Sequence, residues 1–150
     1  MALDDIYKEV ILDHYKNPRN KHEMPEAELS CSRNNPLCGD EITVFVHEDD
    51  GKVAAISFVG QGCSISQSSA SMMTEAVTGK TVDEAGSLIK DFRGMMAGEV
   101  ELEEDEFGEL VALKGVVKYP IRVKCAVLAW DVLQDALAGG DGEAAGSAPH

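Results

Sequence analysis

The sequence predicts an α+β fold, in which an N-terminal helix precedes a three-stranded antiparallel sheet and later helices pack on one face of that sheet. Three observations predict it. Apolar residues recur at helical spacing between Leu3 and His14. Apolar and polar residues then alternate in the stretches that follow, with an Asp50-Gly51 turn between two of them. Helix-start signals then follow from Ser64 onwards.

The N-terminal helix is predicted from one apolar face with acidic residues at its start. The face comprises Leu3, Ile6, Tyr7, Val10, Ile11 and His14. We expect the helix to end near Asn17, because Pro18 disfavours helical geometry in the residue before it. Three strands are then predicted at about 27–32, 42–47 and 53–59, the last two joined as a hairpin.

Three further helices are predicted from their start signals. Ser64 with Gln67, and Thr81 with Glu84, match the capping-box pattern, and Pro120 suits a first helical turn. Apolar residues follow each start at helical spacing. The larger apolar side chains among them are interpreted as core: Met72, Met73, Met95, Met96 and Trp130.

Length and charge restrict the class of protein. The chain has 150 residues, 44% of them hydrophobic, and a formal net charge of −14, which predicts one folded domain with an acidic surface. Such a surface repels phosphate groups, so no nucleic-acid or membrane partner is expected. No apolar run approaches the roughly 20 residues needed to cross a bilayer, and the acidic N-terminus does not resemble a signal peptide. We therefore expect a cytoplasmic protein.

Two segments differ in composition from the rest. Between Gly94 and Leu113 there are seven acidic residues and no basic one. This acidic segment has two interpretations: a solvated loop, which a high-salt habitat would explain, or a docking element. The Gly/Ala-rich tail, 139–150, is predicted to be disordered. The domain is accordingly placed at 1–138, with an acidic insertion at about 94–115.

The chain has four cysteines, and we expect three of them to lie together. If Asp50 and Gly51 form the turn, Cys38 lies opposite Cys63 at the open end of the hairpin, with the register breaking near 60–62. Cys63 also precedes a helix, and Cys125 lies in the first turns of the last one, where the helix dipole stabilises thiolates. Cys31 shares the strand face of Leu29 and is predicted to be a core residue.

A metal site is predicted at these cysteines. Asp40 lies two residues beyond Cys38, so that an extended backbone directs both side chains to one side. Three thiolates and one carboxylate are ligand types that Zn²⁺ accepts, in its tetrahedral number. The predicted ligands are Cys38, Asp40, Cys63 and Cys125. His14 and His47 are left unassigned, since such histidines are more often core or surface residues than ligands.

The motifs around these cysteines resemble a known family. NPLCGD at 35–40, GQGCSIS at 60–66 and RVKCA at 122–126 are similar to the three cysteine motifs of the IscU/SufU (NifU N-terminal) family of iron–sulfur cluster assembly. LDHY at 12–15 and PRN at 18–20 resemble its N-terminal signature. The resemblance covers about residues 3–138.

Within this family the chain resembles the SufU branch. IscU-type scaffolds have a histidine immediately before the third cysteine, where this chain has Lys124. Their Leu-Pro-Pro-Val-Lys chaperone-recognition stretch corresponds here to KYPIR at 118–122. The acidic insertion resembles a segment that SufU proteins carry before the third cysteine.

The resemblance implies a zinc-dependent sulfurtransferase. Proteins of the SufU branch bind zinc through the residues matching Cys38, Asp40, Cys63 and Cys125. They accept persulfide sulfur from SufS, a cysteine desulfurase, and pass it to downstream SUF assembly proteins. The acceptor matches Cys38, and a desulfurase histidine replaces it on the zinc. Arg122 resembles a family arginine near the site that could steady the thiolate or persulfide, although a plain surface role is the alternative.

Two other functions remain open from the sequence. The same cysteines could hold iron, which would make the chain a scaffold on which an iron–sulfur cluster is assembled. The site could also be a purely structural zinc site in a protein that recruits partners. Lys124 favours a sulfurtransferase over a cluster scaffold. The glycine beside Cys38 favours a reactive site over a purely structural zinc site.

Overall fold

The structure, a computed structural model, describes residues 2–35 and 39–138, so Cys38 and the predicted disordered tail lie outside it. It confirms the α+β class: one N-terminal helix, a three-stranded antiparallel sheet and packed helices. The elements in chain order are α1 (Ala2–Lys16), β1 (Leu29–Asn35), β2 (Asp40–Asp49), β3 (Lys52–Gln61), α2 (Ser64–Val77), α3 (Val82–Met96), the short α4 (Glu104–Phe107), a 3₁₀ segment (Gly108–Lys118) and α5 (Pro120–Leu137).

The sheet has the order β1-β2-β3, and its hairpin turn is the predicted one. Asp50 and Gly51 both have positive φ, 55° and 76°, as the type I′ turn requires. The predicted register is wrong beyond the turn, because the ladder shifts between His47 and Glu48 rather than near 60–62. Ala54 is the extra residue of this bulge, and Glu41 therefore pairs with Gln61, one position away from the predicted partner.

The start of α2 differs from the predicted capping box. Cys63 is the N-cap residue, its side chain makes no capping hydrogen bond, and Gln67 donates its backbone N–H to the Cys63 carbonyl. The backbone N–H of Cys63 instead donates a hydrogen bond to the side-chain carboxylate of Asp40. This contact fixes the helix start one residue earlier than the Ser64 cap.

The start of α3 confirms the second predicted capping box. Thr81 accepts a hydrogen bond from the Glu84 backbone N–H at 3.0 Å, and the Glu84 carboxylate accepts one from the Thr81 backbone N–H at 2.9 Å. The backbone N–H groups of Thr81 and Glu84 are thus each satisfied by the other residue's side chain.

The core lies between the sheet and α2, α3 and α5. Ile42, Val44 and Val46 alternate along β2 with less buried residues, so that one face of the strand meets the helices. Trp130 of α5 is fully buried and stacks on Phe92 of α3, with ring centroids 4.3 Å apart. The methionines predicted as core, and Cys31, are buried in the same cluster.

The acidic segment is not a solvated loop throughout. It includes the end of α3, the short α4 and the start of the 3₁₀ segment. Four of its apolar residues are anchored in the core: Leu102, Leu110, Val111 and Leu113 are buried. Among the described helices, none is long and apolar enough to cross a membrane.

Candidate metal centre

Three of the predicted ligands meet at the open end of the β2–β3 hairpin. Asp40 is the first residue of β2, Cys63 is the N-cap of α2 just beyond β3, and Cys125 lies in the second turn of α5. One ligand atom from each lies within 4.8 Å of the other two. The side-chain sulfurs and carboxylate of three separate elements are therefore gathered closely enough to hold one ion.

The burial of these groups suits a metal better than a plain surface cluster. Asp40 and Cys125 are both 0% exposed, whereas Cys63 is partly exposed. A buried carboxylate is costly unless it is paired with a cation or hydrogen-bonded. The partly exposed Cys63 leaves one side of the group open to solvent.

The two oxygens of Asp40 have different surroundings. Oδ1 accepts a hydrogen bond from the backbone N–H of Cys63 at 2.9 Å. Oδ2 is buried and has no hydrogen-bond partner within 2–35 and 39–138. A buried carboxylate oxygen of this kind, next to two thiols, fits a metal ion: the N–H holds the carboxylate in orientation and the other oxygen is left to ligate.

Gly62 makes the close approach of Asp40 possible, a role that no sequence pattern indicated. A Cβ atom at this position would lie 2.2 Å from Asp40 Oδ1 and 2.8 Å from Ser66 Oγ. The φ of Gly62 is also positive, at 151°, a conformation that side chains with a Cβ rarely adopt. Any larger residue would have to displace the carboxylate from the centre.

Cys38 lies outside the described residues, and its place in the ligand set stays a prediction. The residues on either side of it are described. Asn35 and Asp40 are paired at the ends of β1 and β2, and Gly39 donates its backbone N–H to the Asn35 carbonyl at 2.9 Å. Gly39 has a φ of 70°, as expected for a glycine in a tight connection. Along the sequence, Cys38 is therefore only two residues from Asp40, a member of the centre.

Arg122 lies against the same cysteines. Its exposed guanidinium faces both thiol groups: the pKa of Arg122 is raised, first by the negative charge of Cys63 and next by a hydrogen bond to Cys125. The predicted position of Arg122 beside the site is consistent with this contact. Lys124 is exposed, and its protonated amine has no lone pair with which to replace the histidine of the scaffold-type motif.

The segment that supplies Cys125 has a charge opposite to that of the chain as a whole. From Leu110 to Trp130 the sequence contains Lys114, Lys118, Arg122 and Lys124 and no acidic residue, in a chain of net charge −14. Arg122 is the cation of this segment that faces the cysteines, and a cation beside thiolates lowers their free energy.

One further histidine of the sequence has a defined place away from this centre. His14, left unassigned above, is fully buried between α1, α2 and the 3₁₀ segment. Its sequence signals were its position on the apolar face of α1 and its place in LDHY at 12–15, and neither indicated the residues it contacts. Cys31, by contrast, is the core residue that was predicted.

The chain is similar to proteins of one family. It matches the NifU-like N-terminal domain over residues 6–126. It is 44% identical over 140 residues to the zinc-dependent sulfurtransferase SufU of Bacillus subtilis, covering 93% of this chain and 95% of that protein. It is 42% identical over 135 residues to the iron–sulfur cluster assembly scaffold protein IscU of Streptococcus pyogenes, covering 90% and 84%.

A solved structure supports the same relationship. The N-terminal part of a nitrogen-fixing NifU-like protein from Brucella abortus superposes with a TM-score of 0.82 at 25% identity, over 92% of this chain and 96% of that one. The fold, the motifs and these relatives together show that the chain belongs to the NifU-like N-terminal domain family of iron–sulfur cluster assembly, the IscU/SufU family that its cysteine motifs predicted.

Proposed function

We propose that this protein is a zinc-dependent sulfur relay, which accepts persulfide sulfur from a SufS-type cysteine desulfurase on Cys38 and passes it to iron–sulfur cluster assembly in the cytoplasm. The observation that carries the proposal is the group formed by Asp40, Cys63 and Cys125, with one buried Asp40 oxygen left without a hydrogen-bond partner in the described chain. The SufU relative of 44% identity, named a zinc-dependent sulfurtransferase, supports the same reading.

The donor set is the basis for proposing zinc. Asp40, Cys63 and Cys125 offer one carboxylate and two thiolates, and Cys38 would complete a set of four. Sulfur-rich sets of four ligands suit Zn²⁺. A bound zinc keeps its thiolate ligands deprotonated at neutral pH, and deprotonated sulfur is the form that reacts.

The transfer step is a thiol–persulfide exchange. The Cys38 thiolate attacks the terminal sulfur of the desulfurase persulfide; a new S–S bond forms on Cys38 while the desulfurase S–S bond breaks and its cysteine leaves as a thiolate. The number of S–S bonds is unchanged, so the step needs no oxidant or reductant. Cys38 is the proposed acceptor because Gly39 follows it in the sequence and gives the backbone freedom to rearrange, whereas Cys63 and Cys125 are held at helices, whose backbone would have to move with them.

Arg122 is proposed to assist this exchange. Its guanidinium faces Cys63 and Cys125, and it carries a positive charge at all relevant pH values. A cation at this position would lower the free energy of an anionic sulfur at the centre. Tyr119 and Ile121, next to it in the chain, are 57% and 61% exposed and offer apolar contact area to the desulfurase.

The second candidate function is an iron–sulfur cluster scaffold. The 42% identical IscU relative is named a scaffold, and the same cysteines could ligate iron. Lys124 favours the relay, because the lysine cannot supply the ligand that a histidine before the third cysteine would supply.

Metal and sulfide analysis after anaerobic purification separates the two functions. The relay predicts about one zinc per chain and a colourless protein, because Zn²⁺ is d¹⁰. A brown protein with iron and acid-labile sulfide in place of zinc would establish the scaffold instead. The Cys63→Ser variant is the control, since it removes a ligand in either case and should abolish whichever metal is found.

A further inference from the structure

A second group of metal-ligating side chains lies on the other half of α2. His14 comes from α1, Glu75 from the last turn of α2 and Glu109 from the 3₁₀ segment. One ligand atom from each lies within 4.8 Å of the other two. Glu75 is twelve residues along the chain from Cys63, which corresponds to about 18 Å of helix at 1.5 Å per residue. The group is therefore separate from the cysteine centre.

The imidazole of His14 is held in one orientation. The residue is 0% exposed, its Nδ1 lies 2.8 Å from Ser71 Oγ, and its Nε2 lies 2.7 Å from Glu109 Oε1. Ser71 Oγ also accepts the backbone N–H of Arg19 at 2.9 Å, which fixes the hydroxyl itself. Metal-binding histidines commonly have one ring nitrogen fixed by a hydrogen bond from outside the ligand set, as Ser71 fixes Nδ1 here. Nε2 faces the Glu109 carboxylate, so an ion held by that carboxylate would replace the hydrogen bond between the two.

A cation between the two carboxylates would lower their mutual repulsion. Glu75 and Glu109 lie within 4.8 Å of one another, and two like charges at such a distance repel. Arg19 compensates them only weakly: its Nε is 3.9 Å from Glu75, while its close contact, at 2.7 Å, is with Asp13. A divalent ion bound to both carboxylates would supply that compensation.

The group is open to an ion from outside. The side chains of Glu75 and Glu109 are 50% and 52% exposed. A cleft of about 160 Å³ lies beside them, with Met72, Phe107 and Leu110 among its other lining residues. A cation can thus reach the two carboxylates from solvent and meet the buried imidazole behind them.

We propose that His14, Glu75 and Glu109 form a second site, which binds a divalent first-row cation such as Mn²⁺ or Fe²⁺. One imidazole and two carboxylates are the mixed nitrogen and oxygen donors that these ions accept, and the thiol-free set distinguishes the site from the cysteine centre. The ion would connect α1, α2 and the 3₁₀ segment, and so tie the acidic segment to the helices. The proposal does not depend on the relay function.

Manganese binding to the full chain, with the cysteine centre first loaded with zinc, tests the proposal. Free Mn²⁺ is followed by electron paramagnetic resonance at about 0.15 M salt, where diffuse attraction to the acidic surface is screened. We expect one saturable site in the wild type. Glu75→Gln should weaken it at least about tenfold, which is 1.4 kcal/mol. The control, Glu23→Gln, removes the same charge from an exposed residue outside the site and should leave the affinity unchanged.

The imidazole is tested without mutating a buried residue. Substoichiometric Mn²⁺ should broaden the NMR signals of the His14 ring selectively, while those of the exposed His22 and His47 stay sharp. Equal Mn²⁺ affinities in the wild type, Glu75→Gln and Glu23→Gln, or a His14 ring that stays sharp at saturation, would overturn the proposal. The contact of His14 with Glu109 would then be an ordinary structural hydrogen bond.

Discussion

The carboxylate of Asp40 accepts a hydrogen bond from the backbone N–H of Cys63, with 2.9 Å between the two atoms. This one contact joins the first residue of β2 to the N-cap of α2, and it leaves the second oxygen of Asp40 facing the centre. A single side chain thereby positions a helix start and offers a ligand. The first two predictions concern this relationship.

Asp40→Asn should separate the two roles of the side chain. The amide oxygen can still accept the Cys63 N–H, but the ligand loses its negative charge. We expect zinc affinity to fall by at least about tenfold, a loss of 1.4 kcal/mol or more, while the fold of the metal-free protein is retained. Competition with a chromogenic zinc chelator measures the affinity, and circular dichroism checks the fold. An unchanged zinc affinity would show that Asp40 is not a ligand.

Gly62→Ala should displace the Asp40 carboxylate and so weaken metal binding at the centre. The new Cβ would lie 2.2 Å from Asp40 Oδ1, so the carboxylate must move. Overpacking of this kind costs roughly 1–3 kcal/mol in stability, and metal should be lost with it. The matched control is Gly86→Ala in α3, where no atom lies within 4 Å of the added Cβ. Denaturant unfolding should show the control to be stabilised by about 0.5–1 kcal/mol; equal effects of the two substitutions would contradict the packing argument.

The capping box of α3 gives a prediction for stability that is independent of the metal. Thr81→Ala removes the acceptor for the Glu84 N–H and should cost about 1 kcal/mol in urea unfolding. Thr81→Ser keeps the hydroxyl and should recover most of that loss. If serine and alanine destabilise the protein equally, the hydroxyl contributes nothing at this position.

The Thr81–Glu84 capping box also predicts how the stability of the protein depends on pH. The pKa of Glu84 is lowered, chiefly by the hydrogen bond from the Thr81 backbone N–H. A carboxyl whose pKa is lower in the folded state contributes stability above its unfolded pKa, and that contribution is lost as the pH falls through the folded value. Glu84→Gln keeps a hydrogen-bond acceptor but cannot titrate, so its stability should fall less than that of the wild type between about pH 5 and pH 3. Parallel stability curves for the two proteins would rule out this contribution.

Arg122→Ala should slow sulfur acceptance. The guanidinium faces Cys63 and Cys125, and a charge-assisted hydrogen bond that is exposed to solvent, as here, contributes only modestly. We therefore expect the rate of desulfurase turnover with this protein as acceptor to fall by about three- to tenfold at saturating acceptor. Lys124→Ala, two residues away and also exposed, is the control and should retain the rate. Equal losses in both variants would indicate a general charge effect in place of a role for Arg122.

Much of the fold and of the centre could be predicted because their signals are local. The Thr81–Glu84 box, Pro120 and the Asp50-Gly51 turn are each recognised from one to four residues close together in the sequence, and all three occur as expected. The grouping of Asp40, Cys63 and Cys125 followed from the hairpin and two helix starts, which bring sequence-distant residues to one end of the molecule.

The errors arose where a tertiary contact decided the local structure. The bulge at Ala54 shifts the ladder by one residue, and the alternation of the strands on either side does not reveal it. The Ser64 cap failed because a carboxylate 23 residues away accepts the Cys63 N–H. The contact of His14 with Glu109 spans 95 residues, and no periodic pattern connects the two.

The position of the transferred sulfur decides whether Cys38 is the acceptor. The zinc-loaded protein is incubated with a SufS-type desulfurase and cysteine, and intact-mass analysis is followed by peptide mapping. We expect one added sulfur atom on Cys38, absent in Cys38→Ala and retained in Cys31→Ala, whose cysteine is buried in the core. A sulfur that maps to Cys31, or desulfurase stimulation that survives Cys38→Ala, would contradict it.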